Sequence, residues 1–304
     1  MGTGEPHDHA HGTALARSGG AARRPLALAL ALSLVTFVVQ LLVGFATGSL
    51  ALLADSAHVL TDAVGIALAL GAVVLATRSR RPERTFGLFR LEVLSALANA
   101  VLLLGVAMWA AYEAVGRIED PPDVPGWPVL VVGAVGLATN VVALRLLSDG
   151  GSLAAEGARL EVLADAVGSV GVVAGGAIIV VTGATVVDAW IGLAIAVSIV
   201  PRSIRLAAGA LRVLVQAAPP EVDLAAVTSG LRAIPDVVGV HDLHVWTLTS
   251  DMEVLSAHVV VTDAADHSAV LDRARVVLAD GHGIHHATLQ VEPEGHTGCD
   301  ELDW

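Results

Sequence analysis

Cys299 is the only cysteine in the 304-residue chain. That excludes an internal disulfide framework and any cysteine-based zinc ribbon, so metal chemistry here must use His, Asp and Glu. The HExxH helix signature of a membrane metallohydrolase is missing as well. Basic residues are scarce in the last part of the chain. From Ala217 to Trp304, 15 Asp or Glu stand against Arg232, Arg273 and Arg275, a net of -12 out of -13 for the whole chain. This balance argues against nucleic acid or anionic lipid as the partner of that segment and suits the attraction of cations.

What is abundant is apolar: 55% of residues are hydrophobic and the mean hydropathy is +0.72. The apolar residues gather into six stretches, each long enough at about 20 residues to cross a hydrocarbon core as a helix. They run Leu26 to Gly44, Leu50 to Ala76, Leu88 to Val115, Trp127 to Leu147, Leu160 to Thr182 and Val186 to Leu206. The first is followed by five others and reads as a true span, not as a cleaved signal peptide. Arginines mark the cytosolic side. Arg17, Arg23 and Arg24 precede the first span, Arg78, Arg80, Arg81 and Arg84 separate the second from the third, and Arg202, Arg205 and Arg212 end the sixth. Both termini are therefore expected in the cytosol, with the chain a multi-pass protein of the cell membrane.

Beyond Pro219 the hydrophobic period changes to that of a small α+β domain. A helix is expected over Glu221 to Ile234 with Pro220 in its first turn, strands over Val237 to Leu248 and Met252 to Val261 around a turn at Thr249, Ser250 and Asp251, a helix over Asp266 to Leu278, and a strand over Ala287 to Val291. The division expected is a polar, Gly-rich and disordered arm at 1–24 carrying His7, His9 and His11, a membrane domain at 25–216, the αββαβ domain at 217–293, and a flexible tail at 294–304.

Two positions inside the spans carry unusual chemistry. His58 and Asp62 lie one helical turn apart in AHVLTDAVG of the second span, and Glu161 and Asp165 have the same spacing in LEVLADAVGSVG of the fifth. Ionisable groups in a span cost about 2.5–3.5 kcal/mol each on insertion scales, so three carboxylates and an imidazole at matched positions signal use. Four such ligands from two helices suit a tetrahedral metal site. Asp55, at the mouth of the second span, reads either as a helix cap or as part of a cation path. Gln40, Asn99 and Asn140 read chiefly as interhelical hydrogen-bonding groups. Gly168, Gly171, Gly175 and Gly176 allow close helix approach.

Eleven of the twelve histidines lie outside the spans. A hairpin turning near Thr249 and Ser250 places His241 across from His258, at a separation suited to sharing one metal ion.

The stretches SLALLADSAHVLTDAVG, TFGLFRLEVLSALANA, DAVGSVGVV and HDLHVWTLT together resemble the cation diffusion facilitator family, in its bacterial zinc, cobalt and cadmium resistance branch. The resemblance spans residues 25–293 and implies a homodimeric exporter that exchanges a divalent transition metal for protons across the bilayer. It places the transported ion on His58, Asp62, Glu161 and Asp165, and sets His285 and Glu292, in GIHHATLQVE, beside His241 and His258 as a cytosolic metal site with a metallochaperone-like fold. Zn2+ is the ion implied, with Cd2+, Co2+, Mn2+ or Fe2+ as further cargo. The family's zinc members commonly carry His or Asp where this chain has Glu161. The extra oxygen ligand favours manganese, iron or cobalt relative to zinc. A membrane-anchored metal sensor without vectorial transport is the competing reading, and no enzymatic activity is expected.

Overall fold

A computed structural model describes residues 20–57, 59–60, 64, 71, 84–147, 153–249 and 252–296. The expected histidine arm, His58, Asp62, most of the second span and the tail with Cys299 lie outside the described residues. The chain divides into two compact units, Met1–Ala208 and Gly209–Trp304.

The first unit is helical. Its elements are α1 (Gly20–Thr47), the described start of α2 (50–57), α3 (Arg90–Glu119), α4 (Gly126–Leu147), α5 (Leu153–Thr182) and the greater part of α6 (Val186–Leu214). Among the described residues, α3 to α6 are each long and apolar enough to cross a membrane. Several helices overrun the apolar stretches. A helix of 30 residues, such as α3, is about 45 Å long against a hydrocarbon core of about 30 Å. Hydropathy marks only the part in hydrocarbon, whereas backbone hydrogen bonding carries the helix on into the polar zone. Phe45, Tyr112 and Val181 are among many large apolar or aromatic side chains left exposed on this unit, the surface expected of a protein whose solvent is lipid.

Where side chains are small the helices approach closely. A Cβ added at Gly176 of α5 would come within 2.6 Å of the Leu130 amide nitrogen of α4, and one at Gly126 of α4 within 2.8 Å of the Val180 nitrogen. Of the glycines expected to serve helix packing, Gly176 is the tightest. Gly171 and Gly175 meet Ile191 instead, at 3.7 and 3.2 Å. Gly176→Ala is therefore expected to destabilise the detergent-solubilised protein by about 1–3 kcal/mol through overpacking. Gly105→Ala, where nothing stands within 4 Å, should be neutral or slightly stabilising. Thermal unfolding of both variants checks the contrast.

The chain turns from α1 into α2 at Gly48, whose φ of 69° is left-handed. The start of α2 is capped twice. The Ser49 hydroxyl accepts from the Leu52 amide at 3.2 Å, and Asp188 of α6, only 2% exposed, accepts from the Ser49 hydroxyl and the Leu50 amide, both at 2.6 Å. Arg117 of α3 donates to the Gly48 carbonyl. Three helices are thus tied at one end of the unit.

The second unit contains α7 (Leu224–Arg232), β1 (Val237–Thr249), β2 (Met252–Val261), α8 (His267–His282) and β3 (His286–Pro293). This is the αββαβ order read from the sequence, and the membrane and α+β classes both hold. The first helix is shorter than expected. Asp223, not Pro220, starts it, because its carboxylate accepts from the amides of Ala225 and Ala226. Asp266 caps α8 in the same manner. The sheet order is β1-β2-β3, with β2 antiparallel to β1 and parallel to β3. One face is covered by Val227 and Leu231 of α7 and Val270, Ala274 and Leu278 of α8, which pack on Val240, Val245, Leu255, Val259 and Val261.

Candidate metal centres

On the face of the sheet away from those helices, strand register assembles a cluster. His241 and His258 are direct partners across the antiparallel pair, as the hairpin arithmetic required, and their rings meet edge to face with centroids 5.0 Å apart. The third strand supplies a carboxylate. In the parallel pairing Gln290 stands beside His258 and Glu292 beside Val260, so period-two alternation points Gln290 and Glu292 to the histidine face. Glu292 is 4% exposed. Its Oε1 lies 2.8 Å from His258 Nδ1 and its Oε2 3.3 Å from His241 Nε2. One ligand atom from each of the three residues falls within 4.8 Å of the others. A buried carboxylate facing two imidazoles is a nitrogen and oxygen donor set suited to zinc, and Gln290 Nε2 holds its Oε1 in place at 2.8 Å.

His285, assigned to this cluster by resemblance, does not join it. It is exposed in the loop ahead of β3. His286, the next residue, pairs with Val254, four residues and about 13 Å along β2 from His258. Asp242 and Gln290 are the neighbours that sequence reasoning missed. Between His241 and His244 the register shifts, and Asp242 sits there with φ 51°. This is a β-bulge in which a short polar side chain tolerates the left-handed conformation. It turns Asp242 Oδ1 to within 2.9 Å of His244 Nε2 and Oδ2 to 3.7 Å from His258 Nε2. An Asp between two spaced histidines in a strand was the available signal.

In the membrane unit, Asp165 lines a small pocket together with Thr36 and Gln40 of α1, Asp55 and Val59 of the second span, Asn140 of α4 and Ser169. Glu161 lies in α5 one turn before Asp165. The two residues of the second span that line this pocket flank position 58 in the chain. Asp55 is no helix cap, since Ser49 and Asp188 fill that role. It is 7% exposed and accepts from Gln40 Nε2 at 2.6 Å. Asn140 Nδ2 donates to Ser169 Oγ at 3.2 Å, the interhelical bonding expected of it.

A bundle of apolar helices enclosing carboxylates and amides, joined to a small α+β domain with a histidine and glutamate cluster, is the build of a membrane transporter for metal cations. The comparisons with known proteins agree. Residues 26–215 match the cation efflux transmembrane domain and residues 219–294 the cation efflux protein cytoplasmic domain. The chain belongs to the cation efflux family, the cation diffusion facilitators, in the zinc, cobalt and cadmium branch, and is a multi-pass transporter of divalent metal cations, not an enzyme. It is 42% identical to the metal cation efflux system protein CzcD of Cupriavidus metallidurans, over 96% of this chain and 90% of that one. Zinc transporter ZitB of Escherichia coli is 34% identical, over 97% and 95%. The metal-bound C-terminal domain of the CzcD transporter, a solved structure, is 43% identical over 23% of this chain and 99% of its own, with a TM-score of 0.23.

Proposed function

We propose that this transporter exports Zn2+ from the cytosol in exchange for protons, holding the ion on His58, Asp62, Glu161 and Asp165. The observation that carries the reading is Asp165, which lines a pocket with polar side chains from four helices, the second span among them. Insertion costs make such a pocket expensive unless it carries cargo. The relatives point the same way: one is named a zinc transporter, and another, from Bacillus velezensis, a cadmium, cobalt and zinc/H(+)-K(+) antiporter.

The chemistry follows from the donors. Metal and protons compete for the same lone pairs on three carboxylates and one imidazole, so loading expels protons and proton return from the far side loosens the ion. Rocking of helices around a fixed site then exposes it to one side at a time. The chain works as a homodimer with both termini cytosolic. His241, His258 and Glu292 hold a resident zinc ion that stabilises the cytosolic domain, with Gln290 and Asp242 orienting its ligands. Purified protein in sealed vesicles tests the whole reading: proton-dependent zinc accumulation is expected, whereas binding without accumulation would indicate a sensor.

Glu161 favours a second reading on cargo, with manganese, iron or cobalt carried beside zinc. Glu161→His removes one negative charge and adds a nitrogen ligand. It should shift transport toward zinc over manganese and cobalt and flatten the dependence on pH. Uptake of each metal by everted vesicles across a pH series measures this. Unchanged ranking and unchanged profile would place Glu161 outside the ligand set.

A further inference from the structure

The pocket that holds Asp165 contains more polar groups than a four-ligand site needs. Gln40 is 2% exposed, and its Oε1 has no hydrogen-bond partner among the described residues while its Nε2 is committed to Asp55. A buried carbonyl oxygen left this way costs free energy until something electropositive meets it. Small neighbours leave room for these groups: a Cβ at Gly136 would come within 3.1 Å of Gln40 Nε2, and one at Gly168 within 3.1 Å of Asp55 Oδ1. Two of the pocket's polar members are offset from the transport residues in the same sense. Ser169 lies one turn, about 6 Å, beyond Asp165 along α5, and Asp55 comes three residues before His58 in the sequence. With both termini cytosolic, each displacement is toward the outer side.

We infer that Gln40 and Asp55, supported by Thr36, Asn140 and Ser169, form a second cation station of oxygen donors on the release side of the four-ligand site. This rests on the transport-site reading above. The station takes a partly hydrated divalent ion as protons displace it from the nitrogen-containing site. Oxygen donors alone hold zinc less tightly than a set including imidazole, and a weaker second position lets the ion move on. No bond other than metal coordination changes.

The test uses full-length protein. Asp55→Asn keeps side-chain volume and an oxygen for Gln40 to donate to, but removes the charge. Reconstituted in sealed vesicles, it should lower the maximal rate of zinc uptake at least tenfold, while zinc affinity measured at equilibrium in detergent stays within threefold of wild type. Asp55→Glu should recover part of the rate. Gln40→Met removes the carbonyl oxygen, together with the amide that donates to Asp55, while keeping every carboxylate, and should slow uptake at least threefold, which keeps the test decisive if Asp55→Asn does not fold. Wild-type rates in folded Asp55→Asn, or in Gln40→Met, would reduce the pair to a packing hydrogen bond and overturn the station. Loss of equilibrium zinc binding by Asp55→Asn as deep as that of Asp165→Ala would make Asp55 a ligand of the main site, which also overturns it. Failure of the underlying reading looks different, because Asp165→Ala would then transport zinc normally.

Discussion

Vesicles carrying Asp165→Ala or Asp62→Ala protein are expected to accumulate no zinc above background, a fall of at least about 100-fold, since loss even of a group that only orients a metal ligand costs about 10–100-fold. A dehydrated divalent ion in a low-dielectric setting needs its negative ligands, and three donors do not replace four. Folding should survive the change. Asp165 is only half-buried, on the wall of a pocket, and alanine there leaves the α4–α5 contact at Gly176 and the cap of the second span by Asp188 untouched. The variants should therefore elute as the same dimer and melt near the wild-type temperature in the absence of metal. Full uptake by either variant would remove the proposed site.

The second large effect concerns the cytosolic cluster. In an Asp165→Ala background, zinc at one hundred times its dissociation constant should stabilise the protein by about 2.7 kcal/mol through binding to the folded state alone. Adding His258→Ala should abolish most of that shift, because the His258 ring faces Glu292 through Nδ1 and approaches Asp242 through Nε2. His285→Ala should change nothing, since that side chain is exposed ahead of β3. Thermal melts with and without zinc decide it. Equal metal shifts in all three backgrounds would show that the cluster is not a zinc site.

The place of His285 separates what a local count along the chain predicts from what it does not. His241 and His258 sit on adjacent strands of a tight hairpin, so counting residues from the turn was enough to pair them. Glu292 reaches the same cluster through a parallel crossover, with α8 between β2 and β3. The register of such a pair depends on how the helix packs, and no local count along the sequence specifies it. The resemblance set both His285 and Glu292 beside the two histidines, whereas in the structure Glu292 faces them and His285 lies exposed ahead of β3. Seven residues separate His285 from Glu292 in the chain, a gap that an extended backbone spreads over about 20 Å. Asp55 failed as a helix cap for a related reason. Besides Ser49 itself, the group that caps the second span is the Asp188 carboxylate, far away in the chain, and nothing near Ser49 announces it.

By itself, the sequence determined the helical membrane unit, the αββαβ order of the second unit, and the intramembrane and sheet-borne residues to suspect. Those features follow from local rules: apolar run length against bilayer thickness, period 3.6 against period 2, and the high cost of a charge in lipid. Tertiary structure alone decided that Gln40 binds Asp55, that Asp188 caps the second span, that a bulge turns Asp242 toward two histidines, and that His285 stays exposed while Glu292 faces both His241 and His258. Each of these contacts depends on the angle, register or offset at which two elements meet. Those offsets are set by many packed side chains at once, the glycines at the α4–α5 crossing among them, and no single position in the chain encodes them.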